Sequence, residues 1–119
     1  MQISAVNNIN NKTFNAQFKI SGNTELLSKE AIQNFEQRVK ALGTPADELF
    51  FNITNKLDKN NKICTLVNKQ YIFFLKHIYK AGNNDLGLLY GNIEERKKGV
   101  FSLINKTIDD AYLAFKRGM

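Results

Sequence analysis

Tryptophan is absent from this chain of 119 residues, and proline, cysteine and histidine occur once each. The single cysteine, Cys64, excludes a disulfide within the chain and any zinc site built on cysteines, and it favours a reducing compartment. We therefore expect a cytoplasmic protein. Because His77 is the only imidazole, Cys64 and His77 are the one pairing of thiol and base that the residue types allow, and Asp58 is the only acid in that part of the chain. We expect no enzyme.

Motifs for metals and nucleotides are also lacking. The acidic doublets, Asp47-Glu48, Glu94-Glu95 and Asp109-Asp110, consist of adjacent residues, whose side chains point about 100° apart on a helix and do not converge on one ion. The glycines at 82, 87 and 91 match neither the dinucleotide pattern nor a P-loop. The sequence thus predicts no catalytic residue, no metal site and no cofactor.

Long apolar runs are missing as well. No stretch approaches the roughly 20 apolar residues of a membrane-spanning helix. The N-terminus carries no basic region leading into an apolar one, so we expect no secretory signal and no membrane partner.

Length and composition are those of one ordinary globular domain. Hydrophobic residues make up 43% of the chain and charged residues 24%, close to common usage. Residues 4–12 are rich in asparagine and show no periodicity. We expect residues 1–12 to form a flexible N-terminal arm and residues 13–119 to form a single domain.

The first half of that domain predicts a strand followed by a helix. Phe14, Ala16, Phe18 and Ile20 alternate with polar residues from Thr13 onward, which is typical of a half-buried strand. Thr24 or Ser28 could then cap a helix whose apolar stripe ends at Leu42, before Gly43 and Pro45.

The second half predicts a hairpin and a long final helix. Alternating residues over 49–54 and an apolar run over 63–67 flank a polar turn at 58–61, a pattern that favours two antiparallel strands. Residues 69–80 are compatible with a strand or a helix, and we favour a strand. Residues 82–92, with three glycines, indicate a loop, and the apolar stripe from Ile93 to Phe115 indicates a helix.

These elements predict an α+β domain of the order β-α-β-β-β-α. We expect an antiparallel sheet of three to four strands with two helices on one face, the fourth strand being the segment that could instead be helical.

This element order resembles that of bacterial ribosome hibernation factors, and partly that of double-stranded RNA-binding domains. The resemblance implies contact with RNA through a basic surface. The first helix is nearly neutral here, and Glu94 and Glu95 open the last helix where a double-stranded RNA-binding domain has lysines.

Positive charge concentrates in residues 56–80, which hold six lysines against the single acid Asp58, within a chain of formal net charge +6. Those lysines, our candidate site for nucleic acid or for an acidic partner, are Lys56, Lys59, Lys62, Lys69, Lys76 and Lys80. Aromatic rings lie among them, and Phe73 and Phe74 are candidates for base stacking or for an interface. A second small basic run follows at residues 96–98.

Lysine outnumbers arginine by 14 to 3, whereas base-specific contacts most often use arginine. The function we expect is therefore a small binding protein that contacts the phosphate backbone of RNA or DNA. The alternative is a protein-interaction module, or a phage or accessory inhibitor, that docks an acidic protein partner or pairs through a strand edge. Such a protein could also form a homodimer.

Overall fold

The chain forms four strands and two α-helices in the computed structural model, which describes residues 16–73 and 80–118. The strands are β1 (Gln17–Gly22), β2 (Glu48–Leu57), β3 (Ile63–Phe73) and β4 (Lys80–Leu89), and the helices are α1 (Lys29–Lys40) and α2 (Ile93–Gly118). A short 3-10 helix, Thr24–Leu26, lies between β1 and α1. The predicted arm and the first residues of the predicted first strand lie outside the described residues.

The sheet is mixed, so the prediction of a purely antiparallel sheet was wrong. Its strand order is β1-β2-β3-β4, with β1 parallel to β2 and the two later pairs antiparallel. The physical reason lies in the connections, because a strand that returns through a helix runs parallel to its predecessor, whereas a short turn reverses the chain. Helix α1 makes the first connection, and residues 58–62 make the second.

The fourth strand is formed by a different segment from the one predicted. The order of elements also differs from the prediction by the short 3-10 helix between β1 and α1. Residues 69–73 continue β3, residues 74–79 lie outside the described part of the chain, and residues 80–89 form β4 where we expected a loop. Pairing with β3 outweighs the low strand propensity of this glycine- and asparagine-rich segment. At Gly82 a side chain would meet the Tyr71 ring, since an added Cβ would lie 2.6 Å from its hydroxyl oxygen.

Helix α1 begins at the predicted cap. Ser28 is extended, and its hydroxyl oxygen accepts a hydrogen bond from the backbone N–H of Ala31 at 3.1 Å, which satisfies one of the free amides of the first turn. Glu30 in the first turn and Arg38 and Lys40 in the last turn match the helix dipole.

Helix α2 is held at its start by a reciprocal cap. The backbone N–H of Glu95 donates to the Asn92 side chain at 2.9 Å, and the Asn92 N–H donates to the Glu95 carboxylate at 3.1 Å. The predicted apolar stripe is confirmed where Val100, Ile104 and Ile108 are buried. No described helix has an apolar stretch long enough to cross a membrane.

Both helices pack on one face of the sheet around a single core. Alternate residues of β2, namely Leu49, Phe51 and Ile53, are buried in the same cluster as Val67 of β3 and the apolar faces of both helices. The predicted α+β class, with two helices and one domain, is confirmed. The opposite face of the sheet carries the other alternate residues, among them Ser21 and Asn52, which are hydrogen bonded to each other at 3.0 Å.

Gly22, the last residue of β1, has a backbone conformation and a close neighbour that only glycine accommodates without strain. It has a φ of +85°, and an added Cβ would lie 2.1 Å from the carbonyl oxygen of Ile53. Backbone atoms cannot move aside as side chains can, so any other residue at this position would strain the backbone of β1 or β2.

We predict that Gly22→Ala lowers the free energy of unfolding by about 2 kcal/mol or more. The alanine side chain would disfavour the positive φ and would also clash with the carbonyl oxygen of Ile53. Urea denaturation followed by circular dichroism measures this. Asn61→Gly is the control, since Asn61 also has a positive φ, +60°, which glycine adopts freely. It should change stability by less than about 0.5 kcal/mol. Equal stabilities of the two variants would contradict the prediction.

Candidate nucleic-acid interface

Three of the six candidate lysines surround one turn. Lys56 lies near the end of β2, and Lys59 and Lys62 lie in the turn that leads into β3; all three are exposed. We call residues 56–63 the hairpin tip. Its three ammonium groups lie on a narrow ribbon of two strands, whose backbones run about 4.8 Å apart.

The single acid of the hairpin tip is engaged in building the turn. A carboxylate oxygen of Asp58 accepts hydrogen bonds from the backbone N–H groups of Asn60 and Lys62, both at 2.8 Å. The backbone N–H of Asp58 donates to the carbonyl oxygen of Lys62 at 2.9 Å, and Asn61 takes the left-handed conformation. The turn is therefore well defined, and its negative charge is directed toward its own backbone.

Lys69 is distant from the hairpin tip, and it points to the opposite face of the sheet from Lys56, which pairs with Cys64. Lys69 pairs with Phe51, so it shares the face that the helices cover. Its ammonium nitrogen lies 4.8 Å from the centroid of the Tyr71 ring, within the range of a cation–π contact. At about 3.3 Å per strand residue, Lys69 lies about 23 Å along β3 from Lys62.

The remaining candidates lie at the other end of the sheet or outside the described residues. Lys80 begins β4 opposite Phe73, about 33 Å along β3 from the hairpin tip. Lys76 and Phe74 belong to residues 74–79, which the structure does not describe. The structure thus brings together Lys56, Lys59 and Lys62, and it does not bring Lys69 or the backbone of Lys80 to the same surface.

Phe73 is buried. Only 8% of it is exposed, and its ring lies 6.1 Å from that of Tyr71, centroid to centroid. A ring in this position offers little face to a base, and the stacking or interface role of Phe73 stays a prediction.

Two aliphatic residues at the hairpin tip were not among our candidates. Leu57 and Ile63 form the last pair of the β2–β3 ladder and are 65% and 52% exposed. Alternation from Leu49 places Leu57 on the core face, so the sequence pattern alone indicates a buried residue. The hairpin extends past the core, however, and the pair stands on the helix-side face without being covered.

One more exposed side chain lies at this end of the sheet. Tyr90 directly follows β4, whose last residue, Leu89, pairs with Thr65 of β3. It is exposed, and its only sequence signal is its place after a glycine-rich stretch.

Arg96 of the second basic run is not available as a surface charge. It is 8% exposed, and its guanidinium donates to the Thr65 hydroxyl at 3.2 Å and to the Gly91 carbonyl oxygen at 3.3 Å. The Thr65 hydroxyl in turn donates to the Asn55 side chain at 2.9 Å. These contacts tie the start of α2 to β2 and β3 just below the hairpin tip, so Arg96 supports the ribbon from beneath.

The structure places Cys64 but describes no metal-binding cluster in the part of the chain that it covers. Cys64 is buried, and its thiol lies 3.6 Å from the carbonyl oxygen of Lys56. No group of three or more His, Cys, Asp or Glu residues in residues 16–73 and 80–118 is arranged to hold a metal ion. His77 lies outside the described residues.

No protein-family model matches the chain, and a search of curated proteins found no match. The resemblance to ribosome hibernation factors therefore stays a likeness of element order.

We predict that Asp58→Ala lowers the free energy of unfolding by about 1 kcal/mol, because two backbone N–H groups of the turn lose their acceptor. Asp110→Ala is the matched control, since it removes the same charge from an exposed position on α2. It should change stability by less than about 0.5 kcal/mol. Equal midpoints for the two variants in urea denaturation would show that the carboxylate does not hold the turn.

Proposed function

We propose that this protein is a small, non-enzymatic binding protein that contacts the phosphate backbone of RNA or DNA through the hairpin tip. The observation that supports the proposal is the grouping of Lys56, Lys59 and Lys62 around a turn whose one carboxylate is hydrogen bonded to its own backbone. Ammonium groups on a narrow, ordered ribbon suit phosphates that follow one another along a strand.

The charge of the hairpin tip differs from that of the open face of the sheet. On the open face Lys19 pairs with Glu48 at 3.0 Å, and Asn68 donates to Asp85 at 2.7 Å. Lys19 is thus paired with an acid, and the Asp85 carboxylate is engaged by an amide donor. No ion pair is found for the tip lysines among the described residues, so the tip presents its positive charge to a partner.

The proposed site contains three of the six lysines that the sequence predicts. Three lysines at one tip can neutralise about three phosphates, whereas six on one surface would neutralise about six. Since lysine is a point charge with no preferred base, such contacts carry affinity with little sequence preference. The proposal is therefore a weak, salt-sensitive contact, and the number of phosphates involved can be measured.

We predict that binding to a DNA duplex falls with salt concentration with a log–log slope of about −2.7, at about −0.9 for each phosphate contact. That slope corresponds to about a 40-fold loss of affinity between about 50 mM and about 200 mM salt. A slope near −5 would indicate that six lysines act together. Fluorescence anisotropy with labelled duplexes of DNA and of RNA measures both affinity and slope.

The matching variant replaces Lys56, Lys59 and Lys62 by glutamine. We expect it to lose most of the salt-dependent binding. The control replaces Lys29, Lys40 and Lys106 by glutamine, which changes the net charge equally at three exposed positions elsewhere. Equal loss of binding in both triple variants would show that overall charge, and not the hairpin tip, attracts the nucleic acid, and no salt-dependent binding by the wild type would refute the proposal.

A second candidate function is protein interaction through a strand edge. It is favoured by β4, a strand of ten residues that is paired only with β3 in the described part of the sheet. The free edges of such strands can add a strand from another chain, and for a second copy of this chain the result would be a homodimer.

We predict for this second function that Ala81→Lys, at an exposed position near the start of β4, weakens self-association, because a charge on an edge strand opposes strand addition. Sedimentation velocity over a range of concentrations measures it, with Ser102→Lys on α2 as the control of equal charge. A wild type that stays monomeric at all concentrations would rule out the homodimer.

A further inference from the structure

We propose that Leu57 and Ile63 form an apolar wedge that enters the minor groove of double-stranded DNA and bends it, while the tip lysines hold the flanking phosphates. The inference rests on the proposed function and names its partner as a deformable DNA duplex. A single ligand of this kind would contact both the exposed lysines and the exposed aliphatic pair of the hairpin tip.

The wedge is a defined pair of side chains. Leu57 and Ile63 lie directly opposite each other in the β2–β3 ladder, so they point to the same side with Cβ atoms about 5 Å apart. They flank the turn on both strands, next to Lys56 and Lys62 in the chain. The aliphatic pair thus lies on one face of the ribbon and Lys56 on the other, while Lys59 and Lys62 lie in the turn that joins the two strands.

The fold itself gives no reason for this pair to be aliphatic. The preceding core-face pair, Asn55 and Thr65, is polar and hydrogen bonded, and Arg96 lies against it. The apolar core therefore ends at the pair Ile53–Val67, and the polar pair lies between it and the wedge. Leu57 and Ile63 lie beyond that polar layer and are more than half exposed, which disfavours a role in core packing.

Duplex DNA fits the combination better than single strands do. The minor groove is about 6 Å wide, so side chains at the end of a ribbon can enter it while the ribbon stays outside. Aliphatic side chains cannot stack on unpaired bases as rings do, but they can separate neighbouring base pairs and kink a duplex. The phosphates on both sides of the groove then lie close to the flanking lysines.

The turn has the rigidity that a wedge requires. Asp58 holds the backbone of residues 60 and 62, and the Arg96 network supports the strands from below. A side chain that enters a base step must resist the stacking that it disrupts. A turn held by its own carboxylate meets that requirement without help from the partner.

The test compares two labelled DNA duplexes of the same length, one fully paired and one with a central two-base mismatch that lowers the work of kinking. Energy transfer between dyes on the two ends reports bending. We expect the wild type to bind the mismatched duplex about tenfold more tightly and to bring its ends closer together. A duplex RNA of the same sequence, whose minor groove is wide and shallow, should show neither effect.

The variant is Leu57→Ala with Ile63→Ala, and Leu113→Ala on α2 is the control for an exposed apolar residue. We expect the double variant to keep the stability and the salt slope of the wild type, to bind both DNA duplexes equally and to leave energy transfer unchanged. Wild-type binding with the predicted slope but with no mismatch preference or bending would overturn the wedge and leave the phosphate-binding function standing. Absence of DNA binding by the wild type would overturn both.

Discussion

The structure depends on the antiparallel pairing of β2 with β3. This ladder runs the whole length of β2, and its core face supplies Phe51, Ile53 and Val67, which are fully buried in the same cluster as apolar residues of both helices. β1 and β4 are added to either side of it. Every other element either extends this central pair or covers one face of it, so the position of the hairpin tip follows from the register of one ladder.

The two faces and the two ends of this ladder have different roles. The helices cover the core face over the middle of the strands, and a polar layer of Asn55, Thr65 and Arg96 closes the core toward the tip. Beyond that layer, the side chains on the core face are exposed and core packing no longer constrains their chemistry. The residues there include three exposed lysines and an exposed aliphatic pair, which is why the proposed function and the proposed wedge lie at this end.

Much of the local structure could be predicted from the sequence. The Ser28 cap, the turn at 58–61 and the stripe of α2 each depend on residues close in the chain, and the structure confirms them. The β4 strand could not be predicted, because glycine and asparagine disfavour strands and only the neighbouring β3 makes that pairing favourable. The grouping of the candidate lysines could not be predicted either, since charge counted along a segment does not say which side chains share a face.

The sequence by itself determined the α+β class, the β2–β3 hairpin, both helices and the lysines that flank the turn, because periodicity, capping residues and turn residues act over a few positions. Only the tertiary structure decided the direction of β1, the site of the fourth strand and the separation of Lys69 and Lys80 from the hairpin tip. It also decided that Leu57 and Ile63 are exposed while Phe73 and Arg96 are buried. The first three outcomes depend on which strands pair and how they are connected, and the exposure of Leu57 and Ile63 depends on where the helices end over the sheet. Both are properties of packing between distant segments.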